Sequence, residues 1–486
     1  MTISITSRTD LTKLLLCCVI SLLSLNVQAQ GSSGEKLTNV STNDFSFFKE
    51  KQGQWEIKGS GSFGLEPTSK SKIANGLGSI VHTESTKTPE QLTSVNEFGD
   101  IRIEFDFMLS KGGSIQLYVQ GLYGINLNDS WDIEKSSSDI AGSVMQQNTG
   151  LSSALVPARL NACRAPGLWQ HMEIVFLAAK FDQQQKKISN ASFARILLNG
   201  SVIYENLEVP GASRLSPLSI ESATGPIVFS SKSVTAIKDI RYANIADDDL
   251  INLMQPQAGV DIRERPIILN PSAKTIVQRC FIEFDGEKKT YCVAVGSPSG
   301  MHYALDLSQG SIINFWKGEF LDATSMWTSR GEFQVARPVG SKIEVRPAPT
   351  TALLDNANDA WPASAGKAFQ FKGYRLSTEG NPIFMYQENE VIFEDSYLPK
   401  AEGNALLRTL TVVKGKINSK SWLRVAGAQT IKSLGDGLFV VGDSQYYVKL
   451  SNGRTTKATI RNVAGNQEIV VPSSVLQQDF KYELIW

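Results

Sequence analysis

Glu104 and Asp106 stand two residues apart in Ile101-Arg-Ile-Glu-Phe-Asp-Phe107, where apolar and polar residues alternate. In an extended strand that spacing puts both carboxylates on one face. Paired carboxylates can be driven to different pKa values and so divide general-acid from general-base work. The same pattern also suits a solvated outer strand. His171 opens a second alternating run, His171-Met-Glu-Ile-Val-Phe176, which sets it on the face opposite Met172 and Ile174. It could face a groove, or serve structure as a lone strand histidine. Asp129 ends the run Tyr123-Gly-Ile-Asn-Leu-Asn-Asp129, where it could line the same concave surface or cap a turn. Arg159 and Arg164 carry planar donors suited to a carbonyl or hydroxyl oxygen, and suited equally to a salt bridge pinning the loop around Pro166.

Other chemistries find little support. No Cys or His cluster has zinc-ligand spacing, and Asp247-Asp-Asp249 lacks the spaced oxygens of a calcium loop. No Gly-x-Ser-x-Gly elbow offers a serine nucleophile. No cofactor is expected, although a divalent cation is left open. Lysine plus arginine equals aspartate plus glutamate at 48 each, and no long basic run occurs, so nucleic acid is not an expected partner.

Short alternating runs broken by glycine, asparagine and serine recur along the chain, and helix-period patterns are scarce. The fold class is therefore all-β, with strands spaced as in a sandwich or jelly roll. Such strands would position the carboxylates by turning alternate side chains toward a core and the others toward a groove or solvent.

The 486 residues suggest two to four folding units. Residues 1–29 order Arg8 and Lys13, an apolar run Leu14 to Leu25 and a small-residue end at Ala29, as a secretion leader requires. The apolar run is too short for a bilayer span and no later segment could supply one, so export to the periplasm or beyond is expected. Residues 30–245 form the first domain and 246–264 a polar linker. A β-rich domain follows over 265–400, then a C-terminal β-sandwich unit over 401–486 that could be continuous with it. Cys280 and Cys292 are equidistant from Gly286, and a three-residue loop centred there would place them opposite one another, as a disulfide or as two buried thiols. Cys163 is left without a cysteine partner.

Ordered blocks between Phe98 and Ile245 resemble the 3-keto-disaccharide hydrolase family, also described as keto-glucoside lyases and hydratases. They are Phe98-Gly-Asp-Ile-Arg-Ile-Glu-Phe-Asp-Phe107, Gly112-Gly-Ser-Ile115, Tyr123 to Asp129 with Ser130-Trp131, Arg159 to Trp169 including Arg164-Ala-Pro-Gly-Leu-Trp169, Leu198-Asn-Gly200 and Gly225-Pro-Ile227. Val295-Gly-Ser-Pro-Ser-Gly300, Trp316 to Trp327 and Phe371-Lys-Gly-Tyr-Arg375 resemble a partner domain found beside this one in larger bacterial proteins. Two departures stand out. Asn126 occupies a position where the family commonly has glutamine, and Lys232 occupies that of a histidine in a Gln-Asp-His-Gly loop.

The resemblance implies a concanavalin-like jelly roll that cleaves a glycosidic bond beside a sugar oxidised at carbon 3. With that chemistry, Glu104, Asp129 and His171 are the candidate catalytic residues. Substrate-binding roles fall to Asp106, Tyr123, Asn126, Trp131, Arg159 and Arg164, with Trp131 able to stack on a sugar ring. Two other readings stay open. One is a non-catalytic carbohydrate-binding protein. The other is an interaction subunit whose C-terminal half docks onto an exported sugar oxidoreductase.

Overall fold

The computed structural model describes residues 37–49, 53–65, 71–133, 139–145, 155–246, 266–328, 334–356, 358–400, 404–453 and 456–486. The expected leader and almost all of the expected linker, including Asp247-Asp-Asp249, lie outside the described residues. Asn39–Trp486 forms one compact unit.

Alternation builds two facing sheets over the first part of the chain. The first, here the groove sheet, runs in the order Ser201–Val209, Ala191–Leu198, Gln170–Leu177, Ile101–Leu109, Thr235–Asn244, Lys72–His82 and Trp55–Ser62, antiparallel throughout. The second, the back sheet, runs Glu90–Phe98, Gly225–Ser231, Ser114–Val119, Tyr123–Asn128, Ser143–Met145 and Leu155–Val156. Ile103, Phe105, Phe107, Ile174 and Phe176 of the groove sheet pack with Ile115, Leu117, Ile125, Leu127 and Phe229 of the back sheet in one core. The described residues are nearly all β, with this first part a two-sheet sandwich, as the sequence predicts.

Phe105 shows what holds the layers together. It is fully buried, its ring meeting Phe229 of the opposite sheet edge-on at 5.1 Å between centroids. Phe105→Ala is expected to cost about 3–5 kcal/mol through lost transfer energy and the cavity left behind. Urea unfolding checks this, as a lowered midpoint at unchanged slope.

Among the described residues the second half carries three further sheets. One is built around Ser311–Asp322 and one has four strands. The third runs Phe369–Leu376, Pro382–Glu388, Val391–Pro399, Leu406–Lys414, Phe480–Ile485, Tyr446–Leu450, Leu438–Val441 and Ile431–Gly435. Because Val391–Pro399 pairs with Leu406–Lys414, this sheet runs without a break across residue 400. Its core takes in Leu65, Trp131, Ala165 and Leu168 from the first half. Trp486 joins this contact: the Trp131 indole N–H donates to the main-chain oxygen of Trp486 at 2.7 Å, and the Trp486 ring lies 4.7 Å from that of Phe315.

Cys280 and Cys292 are cross-strand partners, but by a different route from the one the sequence suggests. Phe284 pairs with Glu287 around the two-residue turn Asp285-Gly286, both at positive φ, and a bulge between Cys280 and Ile282 restores the match. Both are free thiols. Burial pushes the Cys280 thiol up to about 12 and that of Cys292 higher still, so both are inert.

Candidate functional site

Three central strands of the groove sheet carry charge on the face turned away from the core. On Ile101–Leu109 the residues directed there are Arg102, Glu104 and Asp106. Antiparallel register sets Glu104 between Glu173 and Arg241, and Asp106 between His171 and Lys238. A bulge in Thr235–Asn244 makes the second match possible. Asp239 adopts φ 50, the register shifts between Lys238 and Arg241, and Ile240 drops into the core while both cations stay on the polar face.

The side chains meet in a connected array. His171 Nδ1 lies 2.7 Å from Asp106 Oδ1, and since an ionised carboxylate only accepts, Nδ1 carries the proton. That bond is the largest cause raising the His171 pKa above its ordinary 6.5, with the charges of Asp106, Glu104 and Glu173 adding to it against the effect of burial. Its other nitrogen sits 3.7 Å from Glu104 Oε2. Glu104 is 5 % exposed and held by two guanidinium groups, Arg241 at 2.8 Å and Arg102 at 2.9 Å. Above the array opens a cavity of about 620 Å³ lined by Asn39, Val40, Thr42, Asp106, His171 and the segment Asp239, Ile240 and Arg241. Glu104 stands one contact behind it, touching both His171 and Arg241.

The arrangement has the parts that proton abstraction beside a carbonyl requires. His171 offers a nitrogen whose tautomer is fixed by its other hydrogen bond. Arg241, 40 % exposed, offers planar donors in the same cavity, fixed by a buried carboxylate.

The family described as a 3-keto-alpha-glucoside-1,2-lyase-like domain matches residues 41–246. Those residues are similar to that family. Two candidate glycosyl hydrolases of Parabacteroides distasonis ATCC 8503 are similar to the chain in structure. One is 14% identical over 43% of this chain and 84% of its own, with a TM-score of 0.28. The other is 13% identical over 43% and 100%, at 0.29. A botulinum neurotoxin serotype D binding domain covers 93% of each chain at 10% identity and a TM-score of 0.23. Scores this low carry no argument about chemistry. No curated protein matches the chain.

The matched region brings Glu104, Asp106 and His171 together and leaves the other expected residues elsewhere. Asp129 corrects the expectation of one surface shared with Glu104. It follows a back-sheet strand, its side chain is 2 % exposed, and its oxygens accept from the backbone N–H of Gly112 at 2.8 Å and of Trp131 at 3.4 Å, with Lys111 Nζ 3.3 Å away. Asp129 therefore caps a turn. Tyr123 is buried in the core against Phe176 and donates to Glu221 at 2.7 Å. Asn126, also on the back sheet, donates to Asp139 at 3.1 Å.

Three more face the second half. Trp131 binds the main-chain oxygen of Trp486, as above. Arg159 pairs with Glu319 at 2.8 Å. Arg164 donates to the carbonyls of Trp169 at 3.1 Å and Lys342 at 3.2 Å, and its burial lowers its pKa to about 10. The salt-bridge and pinning roles thus account for both arginines. Lys232, at the departure from the family's histidine, is exposed in the turn before Thr235 and does not line the cavity. Arg241 and Lys238 were missed as site residues, since simple alternation through the unseen bulge places Ile240 beside Lys238. Among the described residues no group of three or more His, Cys, Asp and Glu is placed to hold a metal ion, and no helix is long and apolar enough to cross a membrane.

Proposed function

We propose that this chain is an exported enzyme that cleaves the glycosidic bond of 3-keto-glycosides by elimination followed by hydration. A ketone at carbon 3 acidifies the proton on carbon 2. A base removes that proton, the carbon 1–oxygen bond breaks with its electron pair leaving on the aglycone oxygen, and that oxygen takes up a proton. Water then adds across the resulting double bond.

The single observation that carries the reading is His171, locked by Asp106 through Nδ1, with Arg241 lining the same cavity. In this reading Nε2 takes the carbon 2 proton, and the imidazolium so formed returns a proton to the departing oxygen. Arg241 stabilises negative charge as it develops on the carbon 3 oxygen. Glu104 holds Arg241 in place and favours the imidazolium. The substrate would come from an exported oxidoreductase acting at carbon 3, and the leader-like order of residues 1–29 supports the compartment.

The test is incubation of mature protein with a 3-keto-glucoside, following aglycone release and the ultraviolet absorbance of an enone. Turnover through an absorbing intermediate is expected. Tight binding without turnover would instead establish a carbohydrate-binding protein.

The pH profile carries a further expectation. Only neutral His171 can accept a proton, and its pKa is raised, so kcat/KM should climb through a value above 6.5. Asp106→Asn removes the largest cause of that shift, so the acid limb should move to lower pH while the maximum falls about 10-fold or more as the tautomer is released. Stability follows the same linkage. The pairing stabilises fully below the ordinary histidine value of 6.5, and its contribution is lost as pH rises through the raised one.

A further inference from the structure

The polar face of the groove sheet ends abruptly. On Ile101–Leu109, Asp106 lines the cavity while Met108, two residues on and directed the same way, is fully buried. Met108, Val81 and Ala236 are covered there by Phe63 and Trp169 in a small separate core. The second half fixes this cover. The Trp169 backbone N–H donates to the carbonyl of Ser444 at 3.0 Å, and the Tyr447 hydroxyl donates to that of Pro166 at 2.8 Å. Gly167, at φ 76, lets the segments close up, since a Cβ there would lie 2.0 Å from the Phe63 carbonyl oxygen and 2.5 Å from the Tyr447 hydroxyl.

Lys238 links this wall to the site. It is the cross-strand neighbour of Asp106, its ammonium lies 4.4 Å from the centre of the Trp169 ring, and it binds Asp443 of the second half at 2.6 Å. The ring face, the hydrogen-bonded Asp443 carboxylate and Asp239 at 3.7 Å fix a charge that would otherwise swing on a four-carbon stem. An ammonium has three N–H donors; Asp443 accepts from one of them, and Asp239 stands beyond hydrogen-bond distance.

We propose that the Asp443–Ser444 turn is the end wall of the saccharide groove, and that Lys238, positioned by Asp443, binds the sugar unit resting against that wall. The groove then takes the end of a saccharide and rejects its interior, and the second half is part of the site. This inference rests on the reading of the groove as a saccharide site.

Steady-state kinetics on the full chain test it, with a 3-keto-disaccharide and with the same keto-sugar flanked by sugars on both sides. The flanked substrate should be at least ~100-fold poorer in kcat/KM for the wild type, a difference set by exclusion at the wall. Asp443 is 73 % exposed, so Asp443→Ala should fold normally. It should raise KM for the disaccharide about 3–10-fold with kcat within about twofold, as loss of uniform binding does. Asp443→Glu should recover most of that loss, and Lys238→Met should raise KM at least ~10-fold. Unchanged KM in both Asp443→Ala and Lys238→Met, or equal use of the flanked substrate by an active wild type, would overturn the inference and leave the proposed function standing. A wild type that neither turns over nor binds the keto-disaccharide would remove both.

Discussion

His171→Ala is expected to lower kcat on a 3-keto-glucoside about 10²–10⁴-fold, the range that a positioned acid–base group contributes. Among the described residues lining the cavity, the imidazole is the one group with a basic nitrogen left over after its structural hydrogen bond. The fold should tolerate the change. His171 lies on a strand whose register is set by backbone pairing on both sides, and Asp106, once alone, is still reached by water. Added imidazole should restore part of the lost rate, a recovery that a purely structural histidine would not allow. An alanine variant with more than about a tenth of wild-type turnover would assign the base to another residue.

Arg241→Met should lower kcat about 10²–10³-fold, as the loss of a donor aimed at a developing oxyanion does, with a smaller change in KM. Arg241→Lys should recover little, because an ammonium keeps the charge but not the planar fork. Glu104 keeps Arg102 at 2.9 Å in either variant, so the carboxylate is not left unpaired and the protein should fold. Comparing melting temperatures with kcat separates the two effects. A Met variant equal in stability and in turnover to wild type would make Arg241 a structural partner of Glu104 and nothing more.

The all-β class and the polar face of Ile101–Leu109 were legible because alternation is a local signal that needs no knowledge of neighbours. The parity of His171 against Met172 and Ile174 was legible for the same reason, and register then delivered it to Asp106. Other features depend on what lies far away in sequence. Asp129 looked like a second carboxylate for the site because nothing local says that Tyr123–Asn128 joins the opposite sheet from Ile101–Leu109. Trp131, Arg159 and Arg164 are a tryptophan and two arginines of the kind a sugar site uses, yet they serve the contact with the second half, whose surface no local pattern reveals. Arg241 was hidden by one residue of bulge, since a single extra residue turns every later side chain to the other face.

The claim on which these expectations depend is that a saccharide binds on the outer face of the groove sheet, against His171. A crystal structure of the wild-type protein with a 3-keto C-glycoside, whose carbon link cannot be eliminated as an alcohol, tests it most directly. The sugar should lie in the cavity with carbon 2 about 3–3.5 Å from His171 Nε2 and the carbon 3 oxygen within hydrogen-bond reach of Arg241. A sugar bound on the back sheet, or elsewhere in the second half with the His171 cavity empty, would contradict it.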